Sequence, residues 1–198
     1  MKKIIQIEPW INNLELDELK KVISSTYVTE SKLNSEFEEL TSTFTKSQFC
    51  TTICNGTCAI FCCLQALGIG EGDEVIVPNM TFIATATAVI LTKAKVRLVD
   101  VNPTTGCIDP LNLYKVINNK TKAIIPVHLY GISCEMDEII EIAKKYNLYV
   151  VEDAAQGVGV RYKNKHVGTL GELGVLSYYG NKTITTGEGG MILTNDIE

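Results

Sequence analysis

The segment SYYGNKTITTGEGG, residues 177–190, contains one lysine, Lys182, between aromatic residues on one side and Thr and Gly residues on the other. No acidic residue stands three or four positions from Lys182, so the charge lacks a partner at helical spacing. A lysine in a partly dry pocket has a lowered pKa, and its neutral amine can form a Schiff base with a carbonyl compound. The segment alone is equally consistent with a surface lysine on a loop.

A possible anion site follows the predicted strand 49–53. The letters CNGT place Gly56 and Thr57 at the predicted N-terminus of a helix. Backbone N–H groups, a threonine hydroxyl and the helix dipole together favour a bound anion at such a position. An ordinary capped helix, with Asn55 or Thr57 as the cap, accounts for the same letters.

An aromatic residue and a pair of acids follow two other predicted strands. Phe82 comes just after the strand 74–78, where it is either a core residue or a flat surface on which a ring can stack. Glu152 and Asp153 end the run LYVVED. Neighbouring strand residues face opposite sides of a sheet, so at most one of the two acids points to solvent. A buried acid here requires a cation or several hydrogen-bond donors.

The elements that would position these residues alternate between strand and helix. The predicted strands are 49–53, 74–78, 95–101, 122–129, 148–153 and 173–179, and GGMILTNDIE adds one more. The predicted helices between the first five strands are 57–67, 81–92, 110–118 and 135–146. Such alternation is typical of βαβ units. It predicts an α/β fold, a three-layer α-β-α sandwich with a mostly parallel sheet.

Two further patterns lie outside this alternation. Two amphipathic helices near Leu14–Ser25 and Ser35–Phe44 open the chain, and Phe37 and Leu40 of the second are expected to face inward. The segment VRYKNKHVG predicts a hairpin that turns at Lys163–Asn164.

The four candidate features meet at one edge of such a sheet. Ligands in open α/β sheets bind outside the carboxyl ends of the strands. Each feature alone has an ordinary structural explanation, but pyridoxal phosphate requires all four together. Its phosphate needs the helix N-terminus, its ring the aromatic surface, its pyridinium nitrogen the acid and its aldehyde the lysine. The sequence therefore predicts a site for this cofactor.

Composition excludes several other functions. The chain has 198 residues, 45% of them hydrophobic, and a net charge of −5, which argues against a nucleic-acid binder. The N-terminus does not have the pattern of a signal peptide, and the apolar run CAIFCCLQALG is too short to cross a bilayer. Seven cysteines, an odd number without secretory features, predict reduced thiols and a cytoplasmic location.

Four cysteines, Cys50, Cys54, Cys58 and Cys62, fall four residues apart. Zinc and iron–sulfur sites usually use C-x-x-C pairs on turns, and these four lie on a strand, after its end and on a helix. Packing in the core is the predicted role, and no metal is expected. A cysteine-ligated metal module is the alternative; the two histidines do not have ligand spacing.

Several segments, in the same order along the chain, resemble the DegT/StrS-type sugar aminotransferases, which are pyridoxal-phosphate enzymes of fold type I. They are NGTCAI, LGIGEGDEVIVPNMTFIATATAV, TKAIIPVHLYG, VVEDAAQGVG and GNKTITTGEGGM. The similarity runs from about Glu8 to Asp196. The segments VHLYG and YGNKTITTGEGGM are most similar to the perosamine synthases and allied 4-aminotransferases of nucleotide-linked 4-keto-6-deoxyhexoses.

The resemblance implies a role for each matching position. Lys182 would form the internal aldimine, Asp153 would pair with the pyridinium nitrogen, Gln156 would reach the phenolic oxygen and Phe82 would stack on the ring. The phosphate would be held by Gly56, Thr57 and Ser177. His128 would border the substrate pocket. Sugar contacts are expected near Thr29, although VTESKLNSEFE lacks the glycine that the family usually has before this helix.

The implied reaction moves an amino group from L-glutamate to a nucleotide-linked keto-deoxy sugar at C4, with C3 amination as an alternative. The resemblance also implies a homodimer. An N-terminal helical segment, 1–45, would lead into a cofactor-binding large domain, 46–198, the large domain of the fold type I aminotransferases. The small C-terminal domain of the family would be absent. A non-catalytic remnant that binds the cofactor or a partner is therefore the competing interpretation.

Overall fold

The computed structural model of the chain describes residues 8–196, which form a central sheet with helices on both faces. The strands are β1 (Phe49–Ile53), β2 (Glu74–Pro78), β3 (Lys95–Val99), β4 (Thr121–Ile124), β5 (Tyr149–Asp153), β6 (Arg161–Tyr162), β7 (Lys165–His166), β8 (Leu173–Ser177) and β9 (Gly190–Thr194). The helices are α1 (Asn13–Ser25), α2 (Lys32–Thr45), α3 (Gly56–Ala66), α4 (Ala84–Leu91), α5 (Pro110–Val116) and α6 (Met136–Tyr146). A short 3-10 turn spans Leu129–Gly131.

The main sheet has seven strands in the order β1-β9-β8-β5-β4-β2-β3. The strands from β8 to β3 pair in parallel, and β9 is antiparallel to both of its neighbours. The predicted α/β fold with a mostly parallel sheet is confirmed. The carboxyl ends of β2, β4, β5 and β8 therefore lie along one edge of the sheet.

Alternation along the strands divides the core into layers. Val75 and Val77 of β2 pack with α3 and α4, while Ile76 between them packs with α5 and α6 on the other face. A third cluster, around Leu176 and Met191, takes in the side of β8 and β9 that α2 covers. Three layers, helix on sheet on helix, follow from this period of two.

The predicted strand 122–129 is shorter than expected. β4 ends at Ile124, and Pro126 lies two residues further on. Proline has no N–H to give to the ladder, so it interrupts a central strand. Pairing resumes only as a single bridge between Val127 and Asp153, which keeps the chain beside the end of β5.

The second N-terminal helix presents a different face to the core from the one predicted. Phe37 packs on Tyr178 with ring centroids 4.9 Å apart, but Leu40 is 68% exposed, so its predicted inward orientation is wrong. The buried stripe continues through Thr41 and Thr45, four and eight residues after Phe37. The hydroxyl of Thr45 donates to the carbonyl of Thr41 at 2.8 Å, which satisfies it inside the core.

The predicted hairpin 160–168 is present as β6 and β7, and it turns at the predicted pair. Lys163 and Asn164 have φ values of 45° and 70°, as the tight two-residue turn of a right-twisted hairpin requires. Across the described residues, no helix is long and apolar enough to cross a membrane.

Candidate active site

The start of α3 and the end of β8 form a cradle at the carboxyl edge of the sheet. The Oδ1 atom of Asn55 accepts the N–H of Cys58 at 2.9 Å, so Asn55 is the cap. The amides of Gly56 and Thr57 have no acceptor within residues 8–196. A Cβ atom at Gly56 would lie 3.0 Å from Cβ and 3.2 Å from Oγ of Ser177. The hydroxyl of Ser177 thus lies against the start of α3, and a side chain at position 56 would crowd it.

We expect Gly56→Ala to weaken phosphate binding at this cradle. The added methyl group must displace Ser177 by a few tenths of an ångström, and the hydroxyl moves with it. The dissociation constant for pyridoxal phosphate, measured by equilibrium dialysis, should rise about tenfold, which corresponds to roughly 1.4 kcal/mol. Gly70→Ala is the matched control, because its Cβ would meet only the carbonyl oxygen of Thr92 at 3.6 Å. Equal affinity of both variants would contradict a role for the cradle.

Asp153 ends β5 with a buried carboxylate, 5% exposed. Its Oδ2 accepts the hydroxyl of Thr85 at 2.7 Å and its Oδ1 accepts the N–H of Ala155 at 3.1 Å. Thr85 lies in the first turn of α4, and its N–H donates to the carbonyl of Phe82 at 3.2 Å. Phe82 therefore follows β2 close to Asp153, and its side chain is 68% exposed. Of the two interpretations of Phe82, a core residue is wrong.

Lys182 lines a cavity of about 430 Å³ at the same edge, and Gln156 lines it too. The other predicted cofactor residues lie outside the wall of this cavity; they are Gly56, Thr57, Phe82, Asp153 and Ser177. Its walls are formed by Glu8, Tyr130, Gly131, Ala155, Gln156, Val158, Val160, Asn181, Lys182, Thr183 and Ile184. Burial lowers the pKa of Lys182 from its ordinary value, and the charge of Asp153 partly opposes this shift. Lys182 is half-buried, so the interpretation as an ordinary surface lysine is wrong. The lowered pKa makes a neutral amine more accessible near neutral pH.

Gln156 reaches the cavity from the loop after β5. Its Oε1 atom accepts the N–H of Tyr130 at 2.7 Å. Because the oxygen is engaged in this way, the amide NH₂ of Gln156 is the part left to donate to a ligand. The cavity therefore offers a hydrogen-bond donor as well as the amine of Lys182.

The structure places His128 elsewhere than the sequence analysis expected. Its side chain is 0% exposed, and its Nε2 atom lies 2.9 Å from Oε2 of Glu152. His128 is not among the residues that line the cavity. It follows a strand that ends beside β5, but its ring turns into the interior. The expectation of a substrate contact is not retained.

Thr29 is not brought to the cavity either. It is exposed and lies in the bend between α1 and α2, outside the cavity wall. Glu8 and Thr85 contribute to the site although the sequence analysis did not select them. The N–H of Trp10 donates to the carbonyl of Thr183 at 3.0 Å, which fixes the segment containing Glu8 next to the Lys182 loop. A contact between residues so distant in sequence leaves no local pattern.

In the described part of the chain, no three His, Cys, Asp or Glu residues are grouped so that they could hold a metal ion. Cys54 is exposed, so packing in the core is wrong for this residue, and Cys58 and Cys62 are half-buried. Cys50 lies against the third core cluster. The spacing of four places Cys58 and Cys62 on one side of α3, and that side is near the surface.

The fold and the site together define an α/β protein with a ligand cavity at the carboxyl edge of its sheet. The chain belongs to the DegT/DnrJ/EryC1/StrS aminotransferase family, which it matches over residues 9–198. It is 45% identical over 198 residues to the GDP-perosamine synthase of Escherichia coli O157:H7, a match that covers 99% of this chain and 54% of that protein. The chain thus spans about half the length of the curated relatives it matches.

Solved structures show the same similarity. The aminotransferase from Psychrobacter cryohalolentis is 41% identical, with a TM-score of 0.91 over 96% of this chain and 49% of that one. The sugar aminotransferase Spr1654 from Streptococcus pneumoniae, described as putative, has a structure in its PLP form; it is 29% identical, with a TM-score of 0.91 over 98% of this chain and 54% of that one.

Proposed function

We propose that this chain is the cofactor-binding part of a pyridoxal-phosphate-dependent aminotransferase that acts on a nucleotide-linked 4-keto-6-deoxy sugar, with L-glutamate as the amino donor. One observation carries the proposal: the amine of Lys182 is half-buried, and the buried carboxylate of Asp153 is close enough for its charge to raise the pKa of Lys182. The cradle at Gly56, which an added methyl group would fill, fits a phosphate. The residues present therefore match the charges and shape of this cofactor.

Each residue would hold a different part of the cofactor. The amides of Gly56 and Thr57 and the hydroxyl of Ser177 would donate to its phosphate oxygens. The amide NH₂ of Gln156 would donate to its phenolic oxygen, and the exposed ring of Phe82 would pack on its face. These residues would hold the cofactor at the carboxyl edge of the sheet, where Lys182 lies.

Asp153 and Lys182 would carry the chemistry. When bound, pyridoxal phosphate withdraws electrons from the carbon that bears the amino group. The carboxylate of Asp153, held by Thr85 and Ala155, would keep a proton on the ring nitrogen. The Nζ atom of Lys182 would supply the amine for covalent attachment and later move a proton at the amino-bearing carbon, as general base and then as general acid. Both roles need an amine with a lowered pKa.

Amino transfer by this chain tests the proposal directly. The purified chain with pyridoxal phosphate is incubated with L-glutamate and a GDP-linked 4-keto-6-deoxy sugar, and the amino sugar and 2-oxoglutarate are quantified by mass spectrometry. We expect equal amounts of the two products. The relatives named GDP-perosamine synthase support this acceptor, and a 3-keto sugar nucleotide tested in parallel addresses C3 amination.

The same assay tests a second candidate function. The chain covers only 54% of the length of the Escherichia coli relative. A chain that binds pyridoxal phosphate on Lys182 but forms neither product in the assay would be a cofactor-binding module without turnover. This outcome would contradict the catalytic proposal and leave the cofactor site intact.

We also propose that the chain forms a homodimer. Exposed apolar side chains lie at both ends of α4: Ile83 is its N-cap, preceded by Phe82, and Ile90 and Leu91 are its last two residues. An exposed apolar patch of this kind marks an interface. Sedimentation should show a dimer for the native chain and a monomer for Ile90→Glu. The control Leu111→Glu changes an exposed leucine on α5 and should remain dimeric. A native chain that is monomeric at high concentration would refute the dimer.

The division into an N-terminal helical segment, 1–45, and a large domain, 46–198, stays a prediction. Within the described residues, the first segment holds α1 and α2, and the main sheet begins at Phe49. The cytoplasmic location inferred from the cysteine content also stays a prediction; the seven cysteines are free thiols.

A further inference from the structure

We propose that His128 is a positioning residue, which holds the loop 129–133 so that Tyr130 orients the side chain of Gln156 toward the cofactor. The inference rests on the proposed role of Gln156, which it deepens by naming what fixes that side chain. His128 itself touches neither the cavity nor a ligand. Its ring contacts Glu152 on one side and the backbone of Cys134 on the other, and Tyr130 lies in the loop between His128 and Cys134.

Glu152 is the fixed point of this arrangement. Its carboxylate is fully buried and accepts three backbone N–H groups, from Gly168 at 2.8 Å, Leu170 at 2.6 Å and Gly171 at 2.8 Å. The fourth partner is the ring of His128. A buried carboxylate with four partners has little freedom to move. The next residue on β5 is Asp153, so the immobile carboxylate of Glu152 belongs to the same strand as a proposed cofactor residue.

The contacts of His128 define its tautomer and connect both ends of the loop. The Nδ1 atom accepts the N–H of Cys134 at 3.2 Å, so Nε2 carries the hydrogen and donates to Glu152. The backbone N–H of His128 donates to the carbonyl of Asp153 at 3.0 Å. Residue 128 precedes the loop 129–133 and residue 134 follows it. One imidazole ring therefore closes the base of the loop and attaches it to β5.

The loop itself has a backbone that needs such support. Tyr130 and Gly131 have φ values of 52° and 79°. A non-glycine residue in the left-handed region is strained, and it persists where its surroundings fix it. In this conformation, the N–H of Tyr130 points to Oε1 of Gln156 at 2.7 Å, and Tyr130 and Gly131 both line the cavity. Release of the loop would therefore free the side chain of Gln156.

A purely structural role for the buried pair is the competing explanation, and coupling to Gln156 distinguishes the two. If His128 acts through Gln156, removal of Gln156 removes the effect of His128 on cofactor affinity. If His128 only stabilises the fold, the two substitutions act independently and their free-energy changes add.

Two substitutions of His128 separate its two contacts. In His128→Asn the side-chain oxygen replaces Nδ1 as the acceptor for Cys134 but does not reach Glu152. In His128→Gln the side-chain amide reaches Glu152 but does not replace the acceptor for Cys134. The control is Asn118→Ala, which removes the 2.7 Å hydrogen bond to the buried Glu74 at the opposite edge of the sheet. It removes a side-chain hydrogen bond to a carboxylate that lies far from the cavity.

The first measurement is hydrogen exchange of the Tyr130 amide in the cofactor-free chain. We expect both His128 variants to exchange this amide about tenfold faster than the native chain, and Asn118→Ala to leave it unchanged. The second measurement is the dissociation constant for pyridoxal phosphate. It should rise about tenfold in His128→Asn but less than about threefold when His128→Asn is added to Gln156→Ala.

Two results would overturn the inference. One is a Tyr130 amide that exchanges at the native rate in both variants. The other is an equal rise in the dissociation constant with and without Gln156, which would indicate an independent structural effect. The exchange measurement needs no cofactor, and the binding measurement needs no sugar. A failure of the proposed amino transfer would therefore leave both results interpretable.

Discussion

Lys182→Ala should abolish the covalent adduct that borohydride traps between the native chain and pyridoxal phosphate, while the fold survives. Lys182 is half-buried, and its amine makes no hydrogen bond or ion pair to residues 8–196, so its removal should change the free energy of unfolding by less than about 1 kcal/mol. Amino transfer should fall by about 10²- to 10⁴-fold, because a general acid and base of this kind contributes that much. Mass spectrometry of the reduced, digested protein locates the adduct.

A control is necessary because pyridoxal phosphate also reacts with surface lysines. Lys163 is exposed, lies on the hairpin turn and pairs with Asp137, so Lys163→Ala should leave the adduct unchanged. The yield of the adduct should also depend on pH. The protonated amine does not attack an aldehyde, and burial lowers the pKa of Lys182, so the yield should reach half its maximum below the ordinary pKa of a lysine. A full adduct in Lys182→Ala would refute the assignment.

Asp153→Asn should reduce amino transfer by about 100- to 1000-fold, the loss typical of removing one electrostatic stabiliser from an active site. The fold should persist, since Asn keeps an acceptor for the N–H of Ala155 and the hydroxyl of Thr85 can accept as well as donate. In the proposed mechanism, the neutral side chain would no longer favour a proton on the ring nitrogen of the cofactor. Rates are measured with saturating glutamate and sugar nucleotide.

The same variant has a second consequence that does not depend on turnover. The charge of Asp153 raises the pKa of Lys182 against the effect of burial. Loss of that charge should move the midpoint of adduct formation to a lower pH. The control is Asp100→Asn. Asp100 also comes just after a strand, and its carboxylate accepts a hydrogen bond from the side-chain amide of Asn79 at 2.7 Å. A variant of Asp153 that keeps native rates and the native midpoint would exclude the proposed role.

Local sequence patterns predicted the structure correctly where it depends on a single helix or strand. The ranges of β1 and β2 agree with the prediction, and β2, a mainly apolar run between turn residues, is buried along its whole length. Alternation also predicted that Glu152 and Asp153 do not both face solvent, and both carboxylates are buried: Glu152 accepts from four donors and Asp153 accepts the hydroxyl of Thr85. Both features depend on residues adjacent in the chain.

The sequence analysis did not predict the orientation of side chains whose contacts are with residues far away in the sequence. Leu40 has the spacing of a core residue, but the buried face of α2 is set by Tyr178 opposite Phe37. His128 follows a strand, as a substrate residue would, yet its ring turns inward because Glu152 provides an acceptor there. Neither partner is near in sequence. Periodicity and motif spacing carry no information about such contacts.

The antiparallel strand β9 contacts two parts of the proposed cofactor site, the end of β8 and the start of α3. The loop that carries Lys182 leaves β8 at Ser177 and returns into β9 at Gly190, and these two residues are paired. A Cβ atom at Gly190 would lie 2.6 Å from the carbonyl carbon of Asn55 and 2.9 Å from the amide nitrogen of Gly56. The start of α3, where the phosphate is proposed to bind, and the end of the loop that carries Lys182 are therefore in direct backbone contact at Gly190, where a side chain would clash with Asn55 and Gly56.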